Sequence, residues 1–215
     1  MAQIKWLIYK DFKIDWRSKY PVVGLLLYVI SLILTCYFAF TGFVQTETWN
    51  ALFWVILLFV SINAIARSFL QEQDRTRYYF HIAKPETLIA AKLIYFGIYQ
   101  LVLAGLGVFI FSVFMGTQSL SSGFYLNLVL GSLGLSSAFT MISSISSKTN
   151  NQSVMMAILG FPVIIPILVL AVPNSRILLL GGGIDDISGN LIGLFSVIVI
   201  IIAAIYILFP YTWKS

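Results

Sequence analysis

An all-α integral membrane protein is the fold this sequence predicts: six transmembrane helices, an N-terminal interfacial amphipathic helix, and a cytoplasmic segment between spans two and three. Three observations predict it. The composition is 60% hydrophobic and only 10% charged over 215 residues, against roughly 45–50% and 25% for a soluble domain. The apolar residues fall in continuous runs. The basic residues collect in alternate connections between those runs.

Residues 2–20 come first. Ile4, Leu7, Ile8 and Phe12 share one helical face, with Lys5, Lys10, Lys13 and Arg17 on the polar side. Trp6, Tyr9, Trp16 and Tyr20 suit headgroup depth, so the pattern reads as a helix lying in the membrane interface. It has neither the short apolar core nor the small-residue cleavage site of a signal peptide, so it is expected to remain. Pro21 is expected to break the helix where the chain turns into the bilayer.

Six apolar runs follow, Val22–Phe43, Ala51–Leu70, Leu93–Met115, Phe124–Ile145, Val154–Val172 and Leu191–Phe209. Each approaches the ~20 residues that cross the hydrocarbon core as a helix. The second is the weakest, interrupted by Asn63 and Arg67. Open sheets are excluded in lipid by their unpaired backbone groups, and a barrel would show alternating strands of about ten residues. Residues 1–215 therefore read as one transmembrane domain, without room for a soluble catalytic one.

Alternating compartments along six spans puts Lys5, Lys10, Lys13, Arg17, Lys19, Arg67, Arg75, Arg77, Lys84, Lys92, Lys148 and Lys214 on one side and Arg176 alone on the other. That asymmetry makes both termini cytoplasmic. It also accounts for the net charge of +5, which would otherwise suggest nucleic acid.

Sites for chemistry are sparse. The single Cys36 allows neither an intramolecular disulfide nor a cysteine zinc cluster. Gly181–Gly183 lacks the Lys-Ser/Thr of a phosphate loop and reads as a turn. Asp185 and Asp186 read as a solvated loop, and His81, the only histidine, as a surface residue. The spans carry Asn63, Gln100 and Asn127 but no Asp, Glu or His, which argues against an intramembrane enzyme. No metal site and no catalytic residue is expected.

Ser132, Ser136, Thr140 and Ser144 stand four apart on one face of span four. Small residues there let helices approach closely, and a packing seam or a pathway-lining stripe both fit. Pro162 and Pro166 in span five each remove a backbone donor and kink the helix, as static packing or as a gate. The stretch Gln71–Thr87 has a charged half, Glu72, Asp74, Arg75 and Arg77, and an aromatic half, Tyr78, Tyr79, Phe80 and Ile82, with Pro85 ending it. It reads as a short amphipathic helix that either anchors at the inner membrane face or docks a cytoplasmic partner, its mixed charge favouring docking.

With these features on the page, the chain resembles type-2 ABC exporter permeases, and more closely the haem exporter protein B (CcmB) family of cytochrome c maturation. The stretches that carry the resemblance are ARSFLQEQDRTRYYFHIAKPETLIAAKL (66–93) and GSLGLSSAFTMISSISSKTNNQSVMMAILGFPVIIPILVLAV (131–172). The resemblance implies a permease subunit in the bacterial inner membrane, present as two copies in an ABC complex. It implies a separate ATP-hydrolysing subunit (CcmA), membrane proteins CcmC and CcmD, and the haem chaperone CcmE. ATP would be bound by the partner, haem handled by the complex, and no cofactor bound by this chain. The task implied is coupling of ATP hydrolysis to haem delivery or to release of the haem-loaded chaperone. A permease for lipid or drug, and a membrane scaffold that moves nothing, remain alternatives from the residues alone.

Overall fold

The computed structural model describes residues 2–18, 20–40, 44–72, 85–116, 118, 120–146 and 152–214. Among these, the secondary structure is helical: α1 (Ala2–Ser18), α2 (Tyr20–Ala39), α3 (Thr46–Glu72), α4 (Pro85–Met115), α5 (Ser122–Ser146), α6 (Gln152–Leu179), a 3-10 turn at Asp185–Ile187, and α7 (Ser188–Lys214). Helices satisfy their own backbone polar groups, as a chain in lipid requires. Five stretches are long and apolar enough to cross a membrane: Thr46–Ile65, Pro85–Met115, Ser122–Ser146, Val154–Leu179 and Asp185–Pro210. The first expected span corresponds to α2, whose apolar stretch, Val23–Ala39, is shorter.

The bundle is organised around α5. It packs against α3, α4, α6 and α7, and 72% of its membrane window is buried, against 24% for α6. The sequence explains this position. Gly123, Gly131, Gly134, Ser132, Ser136, Ala138, Thr140 and Ser143 are buried along α5, and such small side chains allow neighbouring backbones to approach from several sides. At Gly131 an added Cβ would stand 2.4 Å from Trp54 Cη2. The other helices turn large residues outward. Phe161 and Val169 on α6, and Ile192, Phe195 and Ile200 on α7, are all exposed, as a lipid-facing surface demands.

Three boundaries differ from expectation. Span five does not end at Val172: α6 continues through Pro173 to Leu179. A proline inside a membrane helix is tolerated where neighbouring groups re-satisfy the freed backbone, and Asn174 and Ser175 on the next turn are fully buried against the bundle. The loop after it is therefore short. It opens with Gly182 N–H donating to Ile177 O (2.9 Å) and Gly181 N–H to Leu178 O (3.3 Å). Gly181 has φ +93°, which makes a Schellman helix ending. The glycine triplet is thus the expected turn. Span three begins before Leu93: Pro85 opens α4, since its missing N–H costs nothing at a first helical position. Pro21, expected to break the helix, lies in the first turn of α2.

The N-terminal helix forms as expected but is rotated about its axis. Leu7 is 2% exposed, with Ile4 and Ile8 half-buried. Phe12, on the same expected apolar face, is 56% exposed. Asp11 takes the inward place at 7%, with Lys10 Nζ 2.9 Å from its carboxylate. This helix packs chiefly on α4 and also on α2.

Candidate functional site

Buried polar groups are costly in an apolar bundle, so their positions mark where the fold spends stability on something other than apolar packing. The largest group lies where the start of α3, the start of α5 and the end of α6 meet. Asn50 Nδ2 donates to Val172 O (2.9 Å). Asn127 Nδ2 donates to Ala171 O (2.8 Å), and Asn174 Nδ2 to Asn127 Oδ1 (3.3 Å). Trp54 Nε1 donates to Ser175 Oγ (2.6 Å), whose own proton goes to Ala171 O (2.8 Å). The carbonyls that Asn50 and Asn127 engage, 171 and 172, immediately precede Pro173. Side chains from α3 and α5 thus hold the helix next to its proline. Above this cluster Arg176 pairs with Glu47, and Thr46 Oγ1 donates to Gln118 Oε1 (3.2 Å). The lone basic residue of the outer side in the charge count is therefore neutralised by a carboxylate of α3.

Beneath it lies an aromatic nest. Trp49 stacks on Phe53 at 5.6 Å and meets Phe111 edge-on at 5.0 Å, with Phe124 completing the group. Deeper still, Gln100 Nε2 donates to Ser61 Oγ (2.7 Å), which donates to Leu57 O (2.6 Å). This link ties α4 to α3 in the apolar interior. An apolar crevice among Val29, Ile33, Phe53, Leu103 and Phe111 holds about 10 Å³, the scale of one water, and no ligand fits there.

The four-apart stripe is buried along its whole length: Ser132 0%, Ser136 1%, Thr140 0% and Ser144 5% exposed. Thr140 Oγ1 donates to Ser136 O (2.7 Å) and Ser144 Oγ to Met141 O (2.7 Å), both within α5. Pro162 and Pro166 are exposed on α6. They lie inside a helix that runs without interruption and do not join the buried polar cluster.

Asp74, Arg75, Arg77, Tyr78, Tyr79 and Phe80, with Ile82 and His81, lie outside the described residues, as does the side chain of Glu72. Among the described residues no group of three or more His, Cys, Asp or Glu is placed to hold a metal. Asp186 accepts from Gly183 N–H (2.8 Å) and shapes the turn.

Lys92, counted as a flanking charge, is 2% exposed. Its ammonium stands 5.6 Å from the Phe96 ring centre, within cation–π range. The Asn50–Trp54–Asn174–Ser175 cluster also escaped sequence reasoning. Its sequence signal was slight: Asn50, Asn174 and Ser175 lie within three residues outside the ends of apolar runs.

These features define a multi-pass helical membrane protein with a small-residue central helix and a polar clamp at one end. The family model described as CcmB protein matches residues 2–212. The chain belongs to the CcmB family, and so is a membrane permease component of the cytochrome c maturation haem exporter system, an ABC system. No curated protein matches it.

Proposed function

We propose that this chain is the permease subunit that receives the work of ATP hydrolysis from a separate CcmA-like ATPase. It delivers that work to haem handling, either as haem delivery or as release of the haem-loaded chaperone. On this reading it lies in the bacterial inner membrane with both termini cytoplasmic. It crosses six times, α2 included, because 20 helical residues rise about 30 Å, one hydrocarbon thickness. Two copies serve one complex, with CcmC-, CcmD- and CcmE-like partners. ATP stays with the ATPase, haem with the complex, and this chain binds neither.

One observation carries the coupling. Segment 73–84 joins α3, which ends at Glu72, to α4, which begins at Pro85, and both helices pack on the central α5. A push on this connection would therefore reach the core through two helices. Its charged residues Glu72, Asp74, Arg75 and Arg77 would meet a polar cleft. Tyr78, Tyr79 and Phe80 would act as the anchors that dominate interface energy. The gate is assigned to α6 at Pro162 and Pro166, where missing backbone bonds lower the cost of bending. The Ser132–Ser144 stripe is assigned to packing, because the burial of all four residues leaves no open pathway wall.

The test is capture of the ATPase by Tyr79→Ala with Phe80→Ala. Loss of co-purification and of cytochrome c maturation, with membrane level unchanged, is expected. Reversal of Glu72 and Asp74 to Lys weakens capture with a salt-dependent part. Survival of capture and maturation in the aromatic double variant makes the segment a membrane anchor and removes the coupling assignment.

A further inference from the structure

The rotation of α1 changes what its outer face offers. At 100° per residue, Phe12, Lys5, Tyr9, Lys13, Trp6 and Arg17 fill one continuous arc of about 140°. All six are exposed, Trp6 at 58% and Tyr9 at 62%. Lys13 Nζ lies 5.9 Å from the Tyr9 ring centre. The carboxylate of Asp11 faces the other way, buried and charge-matched by Lys10. The described outward arc thus interleaves three cations with three aromatic rings and carries no acid.

We propose that this arc binds anionic lipid headgroups, and that α1 makes the protein selective for acidic over zwitterionic lipid. Aromatic rings favour the headgroup layer of any bilayer, so they supply affinity without selectivity. The three cations supply the selectivity, because attraction between a basic amphipathic helix and a membrane depends on anionic lipid. The surroundings favour lipid over a protein partner. The first turns of α2, the next helix in the chain, expose the apolar Val23 at 53% and Leu27 at 62%.

The experiment uses the full purified chain in detergent. Native mass spectrometry follows titration with phosphatidylglycerol and, separately, phosphatidylcholine of the same acyl chains. The wild type should retain phosphatidylglycerol preferentially. Lys5→Gln with Lys13→Gln and Arg17→Gln should reduce that preference at least tenfold. This is a conservative reading of about fivefold per cation, the equivalent of ~1 kcal/mol each. Lys5→Arg with Lys13→Arg should keep it, which separates charge from folding. Trp6→Ala with Tyr9→Ala should weaken both lipids alike. An unchanged preference in the glutamine variant, or its loss in the arginine variant, overturns the proposal.

Discussion

Gly131→Ala tests the packing of the whole clamped end through one methyl group. The new Cβ would lie 2.4 Å from Trp54 Cη2 and 2.9 Å from Cζ3, closer than carbon atoms approach. Trp54 has little room to yield, for it is 1% exposed and its Nε1 is held by Ser175 Oγ at 2.6 Å. Either the core is overpacked, at about 1–3 kcal/mol, or the ring shifts and also loses an interhelical hydrogen bond of about 0.6–1.7 kcal/mol. The expected destabilisation is therefore roughly 2–4 kcal/mol. At about 2–4 °C per kcal/mol for chains of this length, the melting midpoint in detergent should fall by roughly 4–16 °C. The clashing atoms belong to the indole's six-membered ring, so Trp54→Phe removes them. In a double-mutant cycle the cost of Gly131→Ala should shrink to under about 1 kcal/mol in the Trp54→Phe background. Equal costs in both backgrounds, or a midpoint within 2 °C of wild type for Gly131→Ala alone, would refute the contact.

Two further outcomes follow from the topology and from the prolines. In a Cys36→Ala background, cysteines at Gln45 and Asp185 should react with an impermeant thiol reagent added to intact cells while one at Glu86 stays protected; all three positions are exposed on the protein, so labelling at Glu86 would reverse the orientation. Ser175, in the expected outer loop, is fully buried and is unsuited to this assay. Pro162→Ala with Pro166→Ala restores two backbone donors to α6, and maturation is expected to fall while membrane level and ATPase capture hold; normal maturation would reduce both prolines to packing.

Helical runs were legible because hydrophobicity is written locally. α3, α4, α5 and α7 start and stop within a few residues of the expected spans, apart from the longer lead-in from Pro85. Prolines were the weak point. The expected fifth span stops ahead of Pro173, yet Pro173 lies inside α6, and Pro85 opens α4 eight residues before the expected third span. The difference is set by which backbone groups already lack partners and which neighbours replace them. The sequence also could not pair Trp54 with Ser175, or Asn50 with the carbonyl of Val172, because those partners are more than a hundred positions apart. On α1 the spacing put Phe12 on the apolar face with Ile4, Leu7 and Ile8. The structure instead buries Asp11 beside Lys10, an ion pairing that hydrophobic periodicity does not register.

The placement of polar contacts gives one end of the bundle its mechanical character. At one end, α3, α5 and α6 are joined by directed hydrogen bonds from Asn50, Trp54, Asn127 and Asn174, capped by the Glu47–Arg176 pair. Breaking these within the membrane would strand buried donors and acceptors, so the three helices tend to move there as a unit. Farther along α5, Thr140 Oγ1 donates to the Ser136 carbonyl of its own helix. Pro162 falls in the first half of α6 and Pro166 at its midpoint, whereas Pro173 falls within the clamp. Relative motion of α3, α5 and α6 is therefore costliest about Pro173, where it would break those interhelical hydrogen bonds.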